Sequence, residues 1–259
     1  MKSLYDLNGK VAIVTGASSG LGRGAALAYA EHGVAVACLA RRRHLLDELV
    51  KEIEAKGGKA IAITCDVTKE EMVTAAVAET IAKFGKIDIL LNNAGVAILG
   101  DVTVLPLDEW NRGMATNITG IFLMCKYVIP HMKAAKYGKI VNLASVETLL
   151  ATKSEEMARH MYNASKGAVR GLTVGMAACY SKYGITINSI APGLFYSEMT
   201  ANTLFTLEPF MENYRNQCAI GRAGKQEELD GLVLFLSSDA SNYITAQNIF
   251  IDGGVHNVY

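Results

Sequence analysis

The chain has 259 residues, 51% of them hydrophobic, which is enough to bury one sizeable core. Its 25 lysines and arginines balance 25 aspartates and glutamates, so charge gives no argument for nucleic acid or an anionic membrane as a partner. The start of the chain lacks a signal-peptide pattern, and no run of 18 apolar residues occurs. Five scattered cysteines form no CxxC pair. We therefore expect a cytoplasmic protein without disulfides or a bound metal.

Short apolar runs alternate with helical segments along the chain. Strands are predicted at 10–15, 34–39, 60–64, 87–91, 139–143, 185–190 and 247–251. Helices are predicted at about 21–32, 44–56 and 69–84, and one further helix precedes each of the strands at 139 and 185. Runs that are apolar throughout are typical of parallel strands covered on both faces. The pattern predicts an α/β fold, a doubly wound parallel sheet of the Rossmann type, as a single domain over 1–259, with its site at the carboxyl ends of the strands.

A glycine-rich turn, TGASSGLG at 15–22, follows the first predicted strand and opens a helix. Gly16, Gly20 and Gly22 would let backbone N–H groups approach a pyrophosphate, and the helix N-terminus favours negative charge. Ser18 or Ser19 would add a hydroxyl donor. The alternative is a tight strand–helix turn without a ligand.

The residues after the second strand bear on which nucleotide would bind. An NAD site usually carries an acidic residue here for the ribose 2′-hydroxyl, whereas arginine accommodates a 2′-phosphate. This chain has Ala40, Arg41 and Arg42, with no adjacent carboxylate. Guanidinium groups match phosphate geometry, so we predict NADP(H) in preference to NAD(H). The alternative is a solvated basic turn.

Tyr162 and Lys166 are four residues apart in a predicted helix and share one of its faces. The nearby cation should lower the pKa of the phenol towards the range of a general acid/base. Ser145 closely follows a buried strand, where its hydroxyl would face a ligand. Thr148 is an alternative source of this hydroxyl, because it lies nearer to Tyr162, 14 positions before it rather than the 17 of Ser145.

Taken in order, these motifs resemble the short-chain dehydrogenase/reductase family over essentially the whole chain. The features that carry the resemblance are the turn at 15–22, Asp66-Val67, Asn92-Asn93-Ala94-Gly95, Asn117, Ser145, Tyr162 with Lys166, and Pro192-Gly193. Among family branches, the chain is similar to gluconate 5-dehydrogenases, 3-oxoacyl-carrier-protein reductases and bacterial hydroxysteroid dehydrogenases.

The resemblance implies an NADP(H)-dependent oxidoreductase that interconverts a secondary alcohol and a ketone. Tyr162 would be the general acid/base, Lys166 would lower its pKa and hold the nicotinamide ribose, Ser145 would bind the substrate oxygen, and Asn117 would anchor a water of the proton path. The implied cofactor-binding residues are Gly16, Ser18, Ser19, Gly20, Leu21, Gly22, Arg41, Arg42, Asp66, Val67, Asn93, Ala94, Gly95, Tyr162, Lys166, Pro192, Gly193, Phe195 and Ser197. The alternative, purely structural roles are a helix cap for Asp66, a strand-ending turn for Asn93, and stabilisation of a helix kink for Asn117.

The chain departs from the family in a polar loop at 146–160, about four residues longer than usual, which would lie at the rim of the substrate pocket. Glu147, Tyr196 and Met199 are candidate substrate contacts, whereas His160 is expected to be structural. The segment at 194–220 corresponds to the family's substrate lid. A homotetramer or homodimer is implied.

Two other functions remain open. One is a carrier-protein-linked 3-oxoacyl reductase, which would need a basic docking patch near the pocket mouth, drawn from Lys133, Lys136, Lys139 and Arg170. The other is a non-catalytic NADP(H)-binding sensor on the same fold.

Overall fold

Apolar strands form the centre of the protein in a computed structural model, which describes residues 3–201 and 204–257. Within those residues, seven parallel strands make one sheet in the order β3-β2-β1-β4-β5-β6-β7. Their bounds are β1 Val11–Thr15, β2 Ala35–Ala40, β3 Lys59–Thr64, β4 Ile89–Asn92, β5 Gly138–Leu143, β6 Ile185–Pro192 and β7 Asn248–Ile251. The doubly wound parallel sheet and all seven strand positions predicted from the sequence are thereby confirmed, with ends that shift by one to two residues.

Helices cover both faces of the sheet. Their bounds are α1 Gly20–Glu31, α2 Arg43–Ala55, α3 Glu70–Phe84, α4 Leu107–Met114, α5 Gly120–Ala135, α6 His160–Tyr180, α7 Glu198–Ala201, α8 Glu208–Gln217 and α9 Gln226–Ser237. A π-helical turn at Ala115–Thr119 joins α4 to α5. None of these helices is long and apolar enough to cross a membrane within the described part of the chain.

Strand alternation explains the two halves of the core. Ala12 and Val14 of β1 point into the cluster that α1, α2 and α9 cover, whereas Ile13 points into the cluster on the opposite face. Because successive side chains of a strand face opposite sides, a strand buried on both faces must be apolar at every position. The apolar run of β1 therefore determines its central place in the sheet.

The strand predicted at 87–91 begins two residues later, at Ile89, and Asp88, just before it, bridges to β1. Its carboxylate accepts the backbone N–H of Val11 at 2.8 Å and contacts Lys86 at 2.9 Å. This contact ties β4 to the start of β1.

The order of the strands places the site. The chain moves outwards from β1 to β3, then returns to the other side of β1 with β4. At such a reversal, the connections at the carboxyl edge diverge and leave a crevice between them. The glycine turn after β1 and the loop after β4 form its two sides.

Candidate active site

A cavity of about 820 Å³ lies along the carboxyl edge of the sheet. Its volume falls in the range of small-molecule and cofactor sites. From the set that the sequence predicted, its walls include Gly16, Ser18, Ser19, Gly20, Leu21, Arg41, Arg42, Asp66, Val67, Asn93, Ala94, Gly95, Ser145, Tyr162, Lys166, Pro192, Gly193, Phe195 and Ser197. Residues from widely separated parts of the sequence thus meet around one space.

The glycine turn depends on two residues with left-handed backbone conformations. Gly16 and Gly20 have φ values of 67° and 53°, in the left-handed region that favours glycine. A Cβ on Gly16 would lie 2.9 Å from the Cα of Ala94, so the turn packs directly on the loop after β4. The same turn lines the cavity, where a pyrophosphate would bind.

Gly22, which the sequence predicts to lie beside the cofactor, is not among the described residues that line the cavity. A Cβ here would overlap the side-chain amide of Asn93 and lie 2.5 Å from the carbonyl oxygen of Gly16. Gly22 is therefore a packing residue that lets α1 approach the turn.

Thr15 and Asn93 hold the two sides of the crevice together. Thr15 Oγ1 accepts the backbone N–H groups of Asn93 and Ala94, both at 3.0 Å. Asn93 Nδ2 donates to the carbonyl oxygens of Thr15 at 3.0 Å and Gly16 at 3.2 Å. The side-chain amide of Asn93 thus stabilises the turn, which is the structural role that the sequence offered as an alternative to cofactor binding. Sequence reasoning assigned no role to Thr15, although its position at the end of β1 is a usable signal.

Asp66 combines a turn-stabilising role with a place in the cavity wall. Its Oδ1 accepts the backbone N–H of Thr68 at 3.0 Å and the Thr68 hydroxyl at 2.8 Å. These bonds order the turn ahead of α3, which begins later at Glu70.

Arg42 is held by a carboxylate that sequence reasoning missed. Its Nη1 donates to Glu198 Oε1 at 2.7 Å and its Nη2 to Glu198 Oε2 at 2.6 Å, while Nη2 also lies 2.9 Å from Ser19 Oγ. The hydrogen bonds from Arg42 and Ser19 lower the pKa of Glu198 to about 2. From the residues next to Arg42 in the sequence, no carboxylate was expected at this end of the site. That expectation is wrong, because the fold brings Glu198 of α7 to Arg42.

Ser145, Tyr162 and Lys166 meet at the other end of the cavity. Lys166 Nζ donates to the carbonyl oxygen of Leu143 at 2.7 Å and lies 5.5 Å from the centre of the Tyr162 ring. Ser145 is buried, and its hydroxyl accepts the backbone N–H of Glu147 at 3.2 Å. The end of β5 and the first turns of α6 therefore place a hydroxyl, a phenol and an ammonium side by side.

The two titrating groups respond to burial. Removal from water lowers the pKa of Lys166 to about 8. Burial also raises the pKa of Tyr162, an effect that a hydrogen bond with Ser145 partly offsets. The lowering of the Tyr162 pKa that its spacing to Lys166 predicts is not seen in this structure, where burial has the larger effect and raises that pKa. Burial therefore favours the protonated phenol, which is the form that donates a proton in the reductive direction.

Asn117 lies just behind this set, buried in the π-helical turn. Its Oδ1 accepts the Val96 N–H at 2.8 Å, and its Nδ2 donates to the Val96 carbonyl at 3.0 Å and to Ser165 Oγ at 2.9 Å. Ser165 in turn donates to the Tyr162 carbonyl at 2.8 Å. The Asn117 side chain therefore stabilises the backbone that carries Tyr162. This is the structural role that the sequence offered as an alternative.

The loop at 146–160 is folded onto the site by its own polar contacts. Glu147 accepts from Arg159 at 3.3 Å and from Asn163 Nδ2 at 2.9 Å, so its carboxylate is already committed within the protein. His160 Nδ1 accepts the backbone N–H of Val102 at 2.9 Å, a structural role as expected.

Tyr196, another candidate substrate contact, is not among the described residues that line the cavity. Tyr196 is 66% exposed and packs edge-on against Phe205 at 5.3 Å between ring centres. The side chain of Met199 lies outside what the structure describes. Thr148 Oγ1 is buried without a hydrogen-bond partner among the described residues, whereas Ser145 lines the cavity, which favours Ser145 as the source of the hydroxyl.

Residues 3–201 and 204–257 contain no cluster of three or more His, Cys, Asp or Glu side chains arranged to hold a metal ion.

A parallel sheet with a phosphate cradle at one end of its crevice and a Ser–Tyr–Lys set at the other defines a dinucleotide-dependent oxidoreductase. A family model described as enoyl-(acyl carrier protein) reductase matches residues 16–256. The chain belongs to this family, within the short-chain dehydrogenases/reductases, and it is an oxidoreductase that acts on CH–OH groups with a nicotinamide cofactor.

Individual relatives cover nearly the whole chain. Gluconate 5-dehydrogenase of Gluconobacter oxydans (strain 621H) is 38% identical over 252 residues, 97% of this chain and 96% of the relative. A 3-oxoacyl-(acyl-carrier-protein) reductase of Thermotoga maritima is 34% identical over 249 residues, 96% of this chain and 98% of the relative. The crystal structure of a gluconate 5-dehydrogenase from Burkholderia cenocepacia J2315, in complex with NADP and tartrate, has a TM-score of 0.93, with 34% identity and 100% coverage of both chains.

Proposed function

We propose that this enzyme is an NADP(H)-dependent dehydrogenase/reductase that interconverts a secondary alcohol and a ketone, with Tyr162 as its general acid/base. The observation that carries the proposal is one cavity with two chemically distinct ends. Arg42 and the glycine turn lie at one end, and Ser145, Tyr162 and Lys166 lie at the other.

The cofactor set fits this cavity. Gly16 and Gly20 line the cavity where a pyrophosphate would bind. The Arg42 guanidinium, whose two Nη groups hold Glu198 in this structure, has the fork geometry that matches a 2′-phosphate. The solved relative that carries NADP supports the same choice. Asp66 and Val67 would flank the adenine, Asn93, Ala94 and Gly95 its ribose, and Pro192, Gly193, Phe195 and Ser197 the nicotinamide end.

The protein's own contribution to the reaction is proton transfer and orientation. The nicotinamide cofactor supplies or accepts the hydride. Tyr162 donates its phenolic proton to the substrate oxygen in reduction and removes it in oxidation. Ser145 donates a hydrogen bond to the same oxygen and stabilises its developing charge. Lys166 positions the nicotinamide ribose and lies at the start of the proton path, which a water held near Asn117 would continue.

The segment at 194–220 is proposed as the substrate lid. Phe195 and Ser197 line the cavity from this segment, and Phe195 is buried. An apolar cover excludes water from the reacting carbon.

Three of the four residues of the basic docking patch predicted for an acyl carrier protein do not lie near the cavity. Lys133 and Lys136 lie at the end of α5, and Lys139 at the start of β5, so all three are at the amino edge of the sheet, opposite the cavity. Lys139 is also buried and donates to Asn242 Oδ1 at 2.6 Å. The Ser–Tyr–Lys set likewise argues against a sensor, which needs no proton-transfer group.

We further propose a homotetramer or homodimer that pairs through α5 and α6. Phe122 and Val174 on these helices are 49% and 45% exposed. A Cβ on Gly167, Gly171 or Gly175 would meet nothing within 4 Å among the described residues, so a second helix has room to approach. A cytoplasmic location is proposed because all five cysteines are free thiols.

The experiment is a panel of carbonyl and alcohol substrates, including sugar acids, steroids and acyl thioesters, followed by absorbance with NADPH and with NADH. We expect turnover of at least one ketone or secondary alcohol, faster with NADPH. Failure across the panel would return the sensor hypothesis, and a preference for NADH would overturn the argument from Arg42.

A further inference from the structure

The Arg42–Glu198 pair lies in the wall of the cavity, beside the glycine turn. Arg42 follows β2, Glu198 begins α7, and both residues line the same cavity. Both carboxylate oxygens of Glu198 accept from the guanidinium, at 2.7 and 2.6 Å. The pair is therefore bidentate, the geometry that a phosphate would also use.

The segment that carries Glu198 packs closely against the glycine turn. A Cβ on Gly20 would lie 3.1 Å from the Cβ of Ser197, the neighbour of Glu198. Arg42 Nη2 also reaches Ser19 Oγ, at 2.9 Å. The carboxylate thus lies at the junction of the turn, β2 and the proposed lid, where the ribose of a bound nucleotide would carry its 2′ substituent.

A carboxylate at this position treats the two nicotinamide cofactors differently. A 2′-phosphate has only acceptor oxygens at neutral pH, so it competes with Glu198 for the same N–H donors and repels its charge. A ribose 2′-hydroxyl can donate to Glu198 while the bond to Arg42 persists. Dinucleotide folds usually place such an acid at the end of the second strand. Here it comes from a segment 156 residues away from Arg42.

We propose that Glu198 is a specificity-determining residue that opposes the 2′-phosphate of NADPH at Arg42 and accepts the 2′-hydroxyl of NADH. The proposal rests on the assignment of Arg42 to the 2′-phosphate made above. Its consequence is only a moderate preference for NADPH over NADH, because the Glu198 carboxylate partly neutralises the Arg42 cation that favours NADPH.

The test is to measure the dissociation constants of NADPH and NADH for the wild type and for Glu198→Gln. The variant keeps the size of the side chain and removes its charge. Glu208→Gln is the matched control, since Glu208 is another exposed acid of the same segment that pairs with an arginine, Arg215. Thermal unfolding of each variant reports whether the fold is kept.

We expect Glu198→Gln to bind NADPH about fivefold more tightly, the upper range for an exposed charge pair. Its affinity for NADH should stay equal or fall, so the ratio of the two constants shifts towards NADPH. Added salt should narrow the difference from wild type. The Glu208→Gln control should match wild type. An unchanged ratio, or a shift towards NADH, would overturn the proposal.

Arg42→Ala separates this inference from the proposed cofactor assignment. If Arg42→Ala leaves NADPH binding unchanged, the assignment of Arg42 to the 2′-phosphate fails, and the role of Glu198 fails with it. If Arg42→Ala weakens NADPH binding while Glu198→Gln leaves the ratio unchanged, only the inference about Glu198 fails.

Discussion

Lys166 donates its hydrogen bond to the carbonyl oxygen of Leu143, at 2.7 Å, and not to the phenol of Tyr162. The contact joins α6 to the end of β5 and fixes the ammonium inside the protein. Burial of this ammonium lowers its pKa to about 8. The catalytic end of the cavity therefore contains a charge whose stability cost depends on pH.

This lysine predicts a pH-dependent stability difference. Its folded-state pKa of about 8 lies below the ordinary 10.5, so the unfolded chain binds more protons above pH 8 and wild-type stability gains with rising pH. Lys166→Met lacks this gain. The free energy of unfolding of wild type minus that of the variant should rise between pH 8 and 9.5, by at most about 1.4 kcal/mol per pH unit.

Urea denaturation at pH 7.5 and 9.5 measures this difference. Burial lowers the pKa of Lys139 to about 8 as well, but Lys139 is present in both proteins, so its effect cancels in the comparison. A difference that does not change with pH would contradict the burial of a charged Lys166.

Gly22→Ala should destabilise the protein and weaken cofactor binding. Its Cβ would overlap the Asn93 amide and crowd the Gly16 carbonyl, so the turn must shift; overpacking of this kind costs about 1–3 kcal/mol. The measurements are the free energy of unfolding and the dissociation constant of NADPH. Gly231→Ala in α9 is the control, because a Cβ there meets nothing within 4 Å among the described residues. Equal behaviour of the two variants would refute the packing role of Gly22.

Asn117→Ala should lower both stability and turnover. It removes the side chain that pairs with the N–H and C=O of Val96 and one of the two hydrogen bonds of the Ser165 hydroxyl, a loss of about 2–4 kcal/mol. Because Ser165 contacts the Tyr162 carbonyl, we expect kcat to fall more than KM rises. Asn111→Ala, at an exposed position on α4, is the control. Wild-type kcat in a folded Asn117→Ala protein would show that the brace does not position Tyr162.

The strands and the glycine turn were predictable because they depend on local chemistry. Buried parallel strands need unbroken apolar runs, and the turn needs glycines where φ is positive. The chain order of Ser145, Tyr162 and Lys166 likewise places them at neighbouring element ends, so their meeting followed from the topology.

What the sequence missed depends on contacts between distant segments or on burial. Glu198 contacts Arg42 from 156 positions away, and no local sequence pattern predicts this contact. Glu147 looked available for substrate, but Arg159 and Asn163 hold it after the loop folds. The pKa of Tyr162 was expected to fall from the spacing to Lys166 alone, whereas burial raises it.

The central claim is that Tyr162 is the proton-transfer group at the catalytic end of the cavity. Tyr162→Phe removes only the phenolic oxygen and leaves the ring packing and the Lys166 contact with Leu143 in place. The most direct measurement is turnover of this variant beside its dissociation constant for NADPH. We predict that turnover falls at least about a hundredfold while NADPH affinity stays within about twofold of wild type. A variant that binds NADPH and keeps most of its turnover would contradict the account.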